Sequence, residues 1–183
     1  MNVMTNNNDC YVLIPECKTT GVQEWGSQNG YEYLTTDQDL KIKTFIPYRE
    51  PYGRIVRAVA ADLHEILLDN NISNLNENSW SVEKPKIISY FTSILTDDFM
   101  LPFDKDFKHT APLVSYLVDT LDNFEFVDVD KLDVPGLPEN FYEQTVPYWE
   151  IENIYNTNVN FKNAVDKWIA QDQLLLQGWI DAQ

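Results

Sequence analysis

A chain of 183 residues with 29 acidic and 13 basic side chains carries a net charge of −16 and a pI near 4.3, so it repels phosphate backbones, which argues against direct nucleic-acid binding. Its hydrophobic fraction of 44%, with 13% aromatic residues, excludes a disordered acidic tail and supports a core that needs neither metal nor disulfide. The opening "MNVMTNNNDC" has no basic stretch followed by an apolar one, and no apolar run approaches the roughly 20 residues of a membrane span. The chain therefore reads as cytoplasmic and reduced, in a host cytoplasm or a virion if phage-encoded, with no membrane partner.

The first 46 residues read as strands. "CYVLIP" is a short apolar run closed by Pro15. "VQEWGSQNGYEYL" carries Asn29-Gly30, a pair suited to a tight turn, and predicts a hairpin with Trp25, Tyr31 and Tyr33 packed across or beside it. "LKIKTFI" sets Leu40, Ile42, Thr44 and Ile46 against Lys41, Lys43 and Phe45, the alternation of a half-buried strand. After Pro51 the period becomes helical: Ile55, Val56, Val59, Ala60, Leu63, Ile66 and Leu67 share one face, and Asn70-Asn71 can end the helix. "WSV" suggests a short strand, and a second helix is expected from Pro85, burying Ile87 or Ile88, Phe91, Ile94 and Leu95.

A third helix, capped by Thr110 with Pro112 behind it, would carry Leu113, Val114, Leu117, Val118 and Leu121. "FEFVDVD" reads as a strand, "VPGLPENFYEQTVPYWE" as an irregular connection with a short helix near Trp149. The last helix begins around Asn160 and carries Phe161, Val165, Trp168, Ile169, Leu175, Leu176 and Trp179. The expected fold is a single α+β domain over 1–183, a small N-terminal antiparallel sheet with a hairpin packed against about four amphipathic helices.

Few residues suggest chemistry. In "FVDVDKLDVPG", Asp128 and Asp130 would be the first and third ligands of a calcium loop, but the fifth position is Leu132 and the sixth Asp133, so that pattern fails. From Phe124 to Asp130, a strand ending in Asp-x-Asp resembles the haloacid-dehalogenase-like phosphatases. That resemblance implies a further βα series with a hydroxyl residue, a lysine and more aspartates, for which the remaining chain, mostly one helix, has no room. His64 and His109 have no Cys, Ser or Asp at a diagnostic spacing, and Cys10 and Cys17 lack the ligands that would complete a zinc site. No Gly-rich phosphate loop occurs. No catalytic residue, metal or cofactor is assigned from the sequence.

What the sequence does offer is surface. Asp119, Asp122, Glu125, Asp128, Asp130, Asp133 and Glu139 form a carboxylate run interrupted only by Lys131, and Phe141, Tyr142, Tyr148 and Trp149 follow in a proline-rich segment. Aromatic side chains beside charge are common material of protein interfaces. Lys41, Lys43, Arg49, Arg54 and Arg57 make the one local basic patch, suited to pairing with the chain's own carboxylates or to an acidic partner, another copy included. "MNVMTNNND" has the composition of a frayed end, and "LLLQGWI" needs a surface to lie on; an assembly subunit would hold both.

Two functions fit this pattern. One is a non-catalytic, oligomeric assembly protein, a structural subunit of a phage or similar particle, the Asn, Ile and Tyr content suggesting an AT-rich genome. The other is an acidic inhibitor, a nucleic-acid mimic or immunity protein, that occupies a basic protein surface. A small hydrolase whose site is assembled from distant residues is a further alternative.

Overall fold

The computed structural model describes residues 1–15, 17, 19–69, 77–97, 111–129 and 148–183. They fall into two compact units, each drawn from separated stretches: Met1–Glu50 with Pro112–Glu139 and Leu174–Gln183, and Pro51–Ala111 with Asn140–Gln173. The fold is α+β, with a five-stranded sheet in the first unit.

The strands are β1 (Asn2–Thr5), β2 (Asp9–Val12), β3 (Glu32–Thr35), β4 (Lys43–Tyr48) and β5 (Phe124–Asp128), in the order β3-β1-β2-β4-β5. β1 runs antiparallel to β3 and β2, but β2–β4 and β4–β5 are parallel, so the sheet is mixed and not antiparallel throughout. The polar opening segment is not frayed. β1 lies between two strands, with Val3 and Met4 both buried. Asn6 turns the chain into β2 by accepting the Asn8 and Asp9 amides on Oδ1 at 2.8 and 3.0 Å, an Asx turn.

Asn29-Gly30 does not close a hairpin. It ends a helix, α1 (Thr19–Gln28), in which Gly30 takes φ +79° and the Tyr31 amide donates back to the Gly26 carbonyl at 2.9 Å. This is a Schellman cap, which demands the same positive φ as a hairpin turn. Gly26 brings α1 close to the sheet: a Cβ there would stand 2.9 Å from Met4 Cε and 3.3 Å from Met4 Cβ. With two glycines in ten residues α1 is a weak helix by propensity, and contact with the sheet holds it.

The register assigns the faces. Tyr11 and Phe45 are neighbours on one face, stacked at 4.8 Å, and Trp25 of α1 packs edge-on against Tyr11 at 5.5 Å. The other face carries Val3, Cys10, Val12, Thr44 and Ile46, all fully buried, with Phe124 and Phe126 of β5. Both cysteines are buried free thiols. Cys10 Sγ lies 3.2 Å from Thr44 Oγ1, and burial, the largest influence, pushes its thiol up from its ordinary value. The expected third helix is only a 3₁₀ turn, Leu113–Tyr116, after which Leu117 is extended. Leu113, Tyr116, Val118 and Leu121 are nevertheless buried, since a hydrophobic stretch can fill a core without helical period. Thr110, the proposed cap, lies outside the described residues.

The second unit is helical: α2 (Pro51–Asp69), α3 (Glu77–Asp97), α4 (Tyr148–Thr157) and the first part of α5 (Val159–Asp181). Its core joins Ile55, Val56, Val59, Ala60 and Leu63 of α2 to Phe91 and Leu95, Ile151 and Ile154, and Phe161, Ala164, Val165 and Trp168. α3 begins at Glu77 and runs through Pro85, so "WSV" is helical and Pro85 is not its start. Asn70 and Asn71 lie outside the described residues.

The last turns of α5 belong to the sheet unit, where of "LLLQGWI" Trp179 packs while Leu174 is 73% and Ile180 36% exposed. Trp179 packs on Phe124 at 5.1 Å and donates its indole N–H to the Val118 carbonyl at 2.9 Å. Gln183 Oε1 accepts the Leu121 amide at 2.7 Å.

Candidate interaction surface

The sheet unit has two edges, β5 and β3, and they differ. At β5 the expected carboxylates meet the expected lysines. Glu125 faces Lys43 on the neighbouring strand at 2.9 Å, and Asp122, just before β5, pairs with Lys41 at 2.5 Å. Asp39 binds both partners, accepting the Asp122 amide on Oδ2 at 3.0 Å and the Lys41 ammonium at 3.2 Å. Its side chain is only 4% exposed. Burial alone would push the Asp39 carboxyl up, but the Asp122 and Lys41 amides and the Lys41 ammonium outweigh it and hold the carboxyl below its ordinary value. Lys41 is held above its ordinary value by its bonds to Asp122 and then Asp39.

The basic patch is thus spent within the molecule at Lys41, Lys43 and Arg54, and the arginine is buried in the helical unit. Arg54 Nη2 donates to Asp172 Oδ2 at 3.1 Å, Nη1 to the Ala111 carbonyl at 3.1 Å, and the guanidinium lies 4.7 Å over the Trp168 ring. Arg49 and Arg57 are also engaged.

Of the carboxylate run, Asp119, Asp122, Glu125 and Asp128 are exposed on the sheet unit. Asp130, Asp133, Glu139, Phe141 and Tyr142 lie outside the described residues. Tyr148 opens α4 in the helical unit, followed by Trp149, which is 54% exposed. Among the described residues no group of three His, Cys, Asp or Glu could hold a metal ion, and no helix is long and apolar enough to cross a membrane.

The opposite edge, β3, was not among the surfaces expected from the sequence. All four residues of β3 are exposed, Tyr33 at 55% and Leu34 at 39%. Met1 and Thr36 exchange both backbone bonds, N–H to carbonyl at 2.9 Å and the amino group to carbonyl at 2.7 Å. Because antiparallel pairs alternate, Val3–Leu34 and Thr5–Glu32 are also hydrogen-bonded pairs, while Asn2–Thr35 and Met4–Tyr33 are not. The backbone N–H and C=O of Tyr33 and Thr35 therefore point away from β1, and among the described residues nothing pairs with them. Next to this edge, Tyr31 is anchored inward by donating its hydroxyl to Asp9 Oδ1 at 2.6 Å. Burial, followed by that bond to Asp9, raises its phenol far above the ordinary tyrosine value. The Tyr33 hydroxyl instead accepts from the exposed Thr35 hydroxyl at 3.4 Å.

Charge is uneven between the units. The sheet unit contains 15 acidic and 5 basic residues, a difference of −10; the helical unit contains 14 and 8, a difference of −6. From Thr19 to Leu40 the chain has no lysine or arginine, whereas Glu24, Glu32, Asp37 and Asp39 all fall there. No family model, curated protein or solved structure matches the chain.

Proposed function

We propose that the protein acts by binding and not by catalysis: it is an acidic interaction protein that docks on a basic surface of another protein. Two observations support this reading: the stretches that make up the sheet unit carry −10 of the total −16, and β3 is an edge strand whose side chains are all exposed, with Glu32 at one end, Asp37 just beyond the other and no lysine or arginine from Thr19 to Leu40. Such a field attracts a basic partner and speeds its approach. Copies of the same chain repel one another, so the charge favours a basic partner over self-assembly.

The test is affinity capture with the full chain, identification of the protein retained, and calorimetric titration of the two purified proteins from about 50 to about 500 mM salt. The expected partner is basic, with affinity falling at least about tenfold across that range. A neutral or acidic partner, binding indifferent to salt, or no partner at all contradicts the reading.

A further inference from the structure

We infer that the open edge of β3 is a strand-addition site for an extended segment of a basic partner, apolar in its middle and carrying lysine or arginine at its ends. This rests on the reading of the protein as an acidic binder and names the place and form of the contact.

The backbone sets the geometry. Tyr33 and Thr35 each direct one donor and one acceptor outward, two residues apart, so an added strand gains four main-chain hydrogen bonds over about 7 Å. Such bonds recognise any extended chain, and the flanking side chains supply the selection. Leu34 and Tyr33 lie on opposite faces of the strand and are both exposed, which suits apolar residues alternating on the incoming segment. Glu32 at one end and Asp37 just beyond the other are exposed carboxylates in a stretch free of lysine and arginine, so basic residues at the ends of the segment meet complementary charge.

Protein edges are commonly protected by lysine, proline or a bulge. β3 has none of these, and its pairing with β1 is continuous from Asn2–Thr35 to Thr5–Glu32. On β5, Glu125 is already matched by Lys43. A second copy would bring the same carboxylates and the same net charge to the edge, which is why a basic occupant is chosen.

The probe is the capped peptide Lys-Thr-Val-Thr-Val-Lys, titrated into the isotope-labelled full chain and followed by amide shifts and hydrogen exchange. Controls are the same peptide with N-methylated valines and the charge-reversed peptide with glutamate at both ends. The basic peptide is expected to shift and protect the Tyr33 and Thr35 amides, and both controls are expected to fail. Thr35→Pro removes an outward donor and no ladder donor, so it should weaken binding at least about tenfold with an unchanged circular dichroism spectrum. Glu32→Lys with Asp37→Lys should weaken it by about tenfold or more without touching the backbone.

The inference is overturned if the basic peptide does not bind, if the N-methylated or acidic peptide binds as well, or if either variant binds like the parent. Dimerisation lost in Thr35→Pro would also overturn it, in favour of a second copy. If the peptide fails while a basic protein still binds with strong salt dependence, the functional reading stands and only this contact is wrong.

Discussion

The helical unit and the sheet unit handle charge in opposite ways. In the helical unit the guanidinium of Arg54 is enclosed, paired with Asp172, bonded to the Ala111 carbonyl and covered by Trp168. In the sheet unit Asp119, Asp122, Glu125 and Asp128 are exposed, Lys41 and Lys43 pair with carboxylates at the β5 edge, and the β3 edge keeps exposed side chains and outward-facing backbone groups. Enclosed charge fixes an interior, because either partner alone would be costly to bury. Displayed charge beside open backbone is available to another molecule.

The largest expected effect tests the enclosed side. Asp172→Ala leaves Arg54 buried without its countercharge and should lower stability by about 3–5 kcal/mol in urea unfolding, whereas Arg54→Met with Asp172→Leu should recover most of that loss. If the single change costs under about 1 kcal/mol, the pair is not the interior feature described here. Next is the end of α1. Gly30→Ala forces a Cβ into positive φ and should cost about 1–2 kcal/mol, while an unchanged midpoint would show that the cap can be rebuilt.

A pH experiment follows at the β5 edge. The Asp39 carboxyl is depressed in the folded state, so its contribution is complete above the unfolded value near about 4 and is lost as pH falls through the lower folded value. Asp39→Asn should therefore be less stable than the parent at pH 6, with the gap closing as the pH drops well below 4; a gap that widens on acidification contradicts this sign. The smallest effect is expected for Glu125→Gln, which breaks an exposed pair with Lys43 and should change stability by less than about 1 kcal/mol, with a correspondingly weak salt dependence.

Much of the fold was legible where one local pattern had one outcome. The alternation at Thr44 and Ile46 gave β4, the stripe from Ile55 to Leu63 gave α2, and the run from Phe161 to Trp168 gave α5. Reading failed where a signal serves two structures. Asn29-Gly30 can turn a hairpin or end a helix, and the difference lay in Gly26, whose missing side chain lets α1 reach Met4. Pro85 suggested a helix start, yet α3 begins at Glu77 and contains it. Parallel pairing of β2, β4 and β5 depends on where distant segments return, which no local window contains.

The candidate surface was less legible than the fold. The carboxylates Asp122 and Glu125 drew attention by density, but their pairing with Lys41 and Lys43 depends on strand neighbours. Tyr33 is expected with Trp25 and Tyr31 across or beside a hairpin; it is instead 55% exposed, and the register with β1 turns its backbone N–H and C=O outward. A faint sign was available in the absence of lysine, arginine and proline around "YEYLTT", the residues that often guard an edge.

The central claim is that β3 presents open backbone to a basic partner, and residue-resolved amide hydrogen exchange tests it most directly. Fast exchange is expected at Tyr33 and Thr35 beside slow exchange at Leu34 in the free protein, with the two fast amides slowing when the basic partner binds. Slow exchange at Tyr33 and Thr35 in the free chain, or no change there on binding, would contradict it.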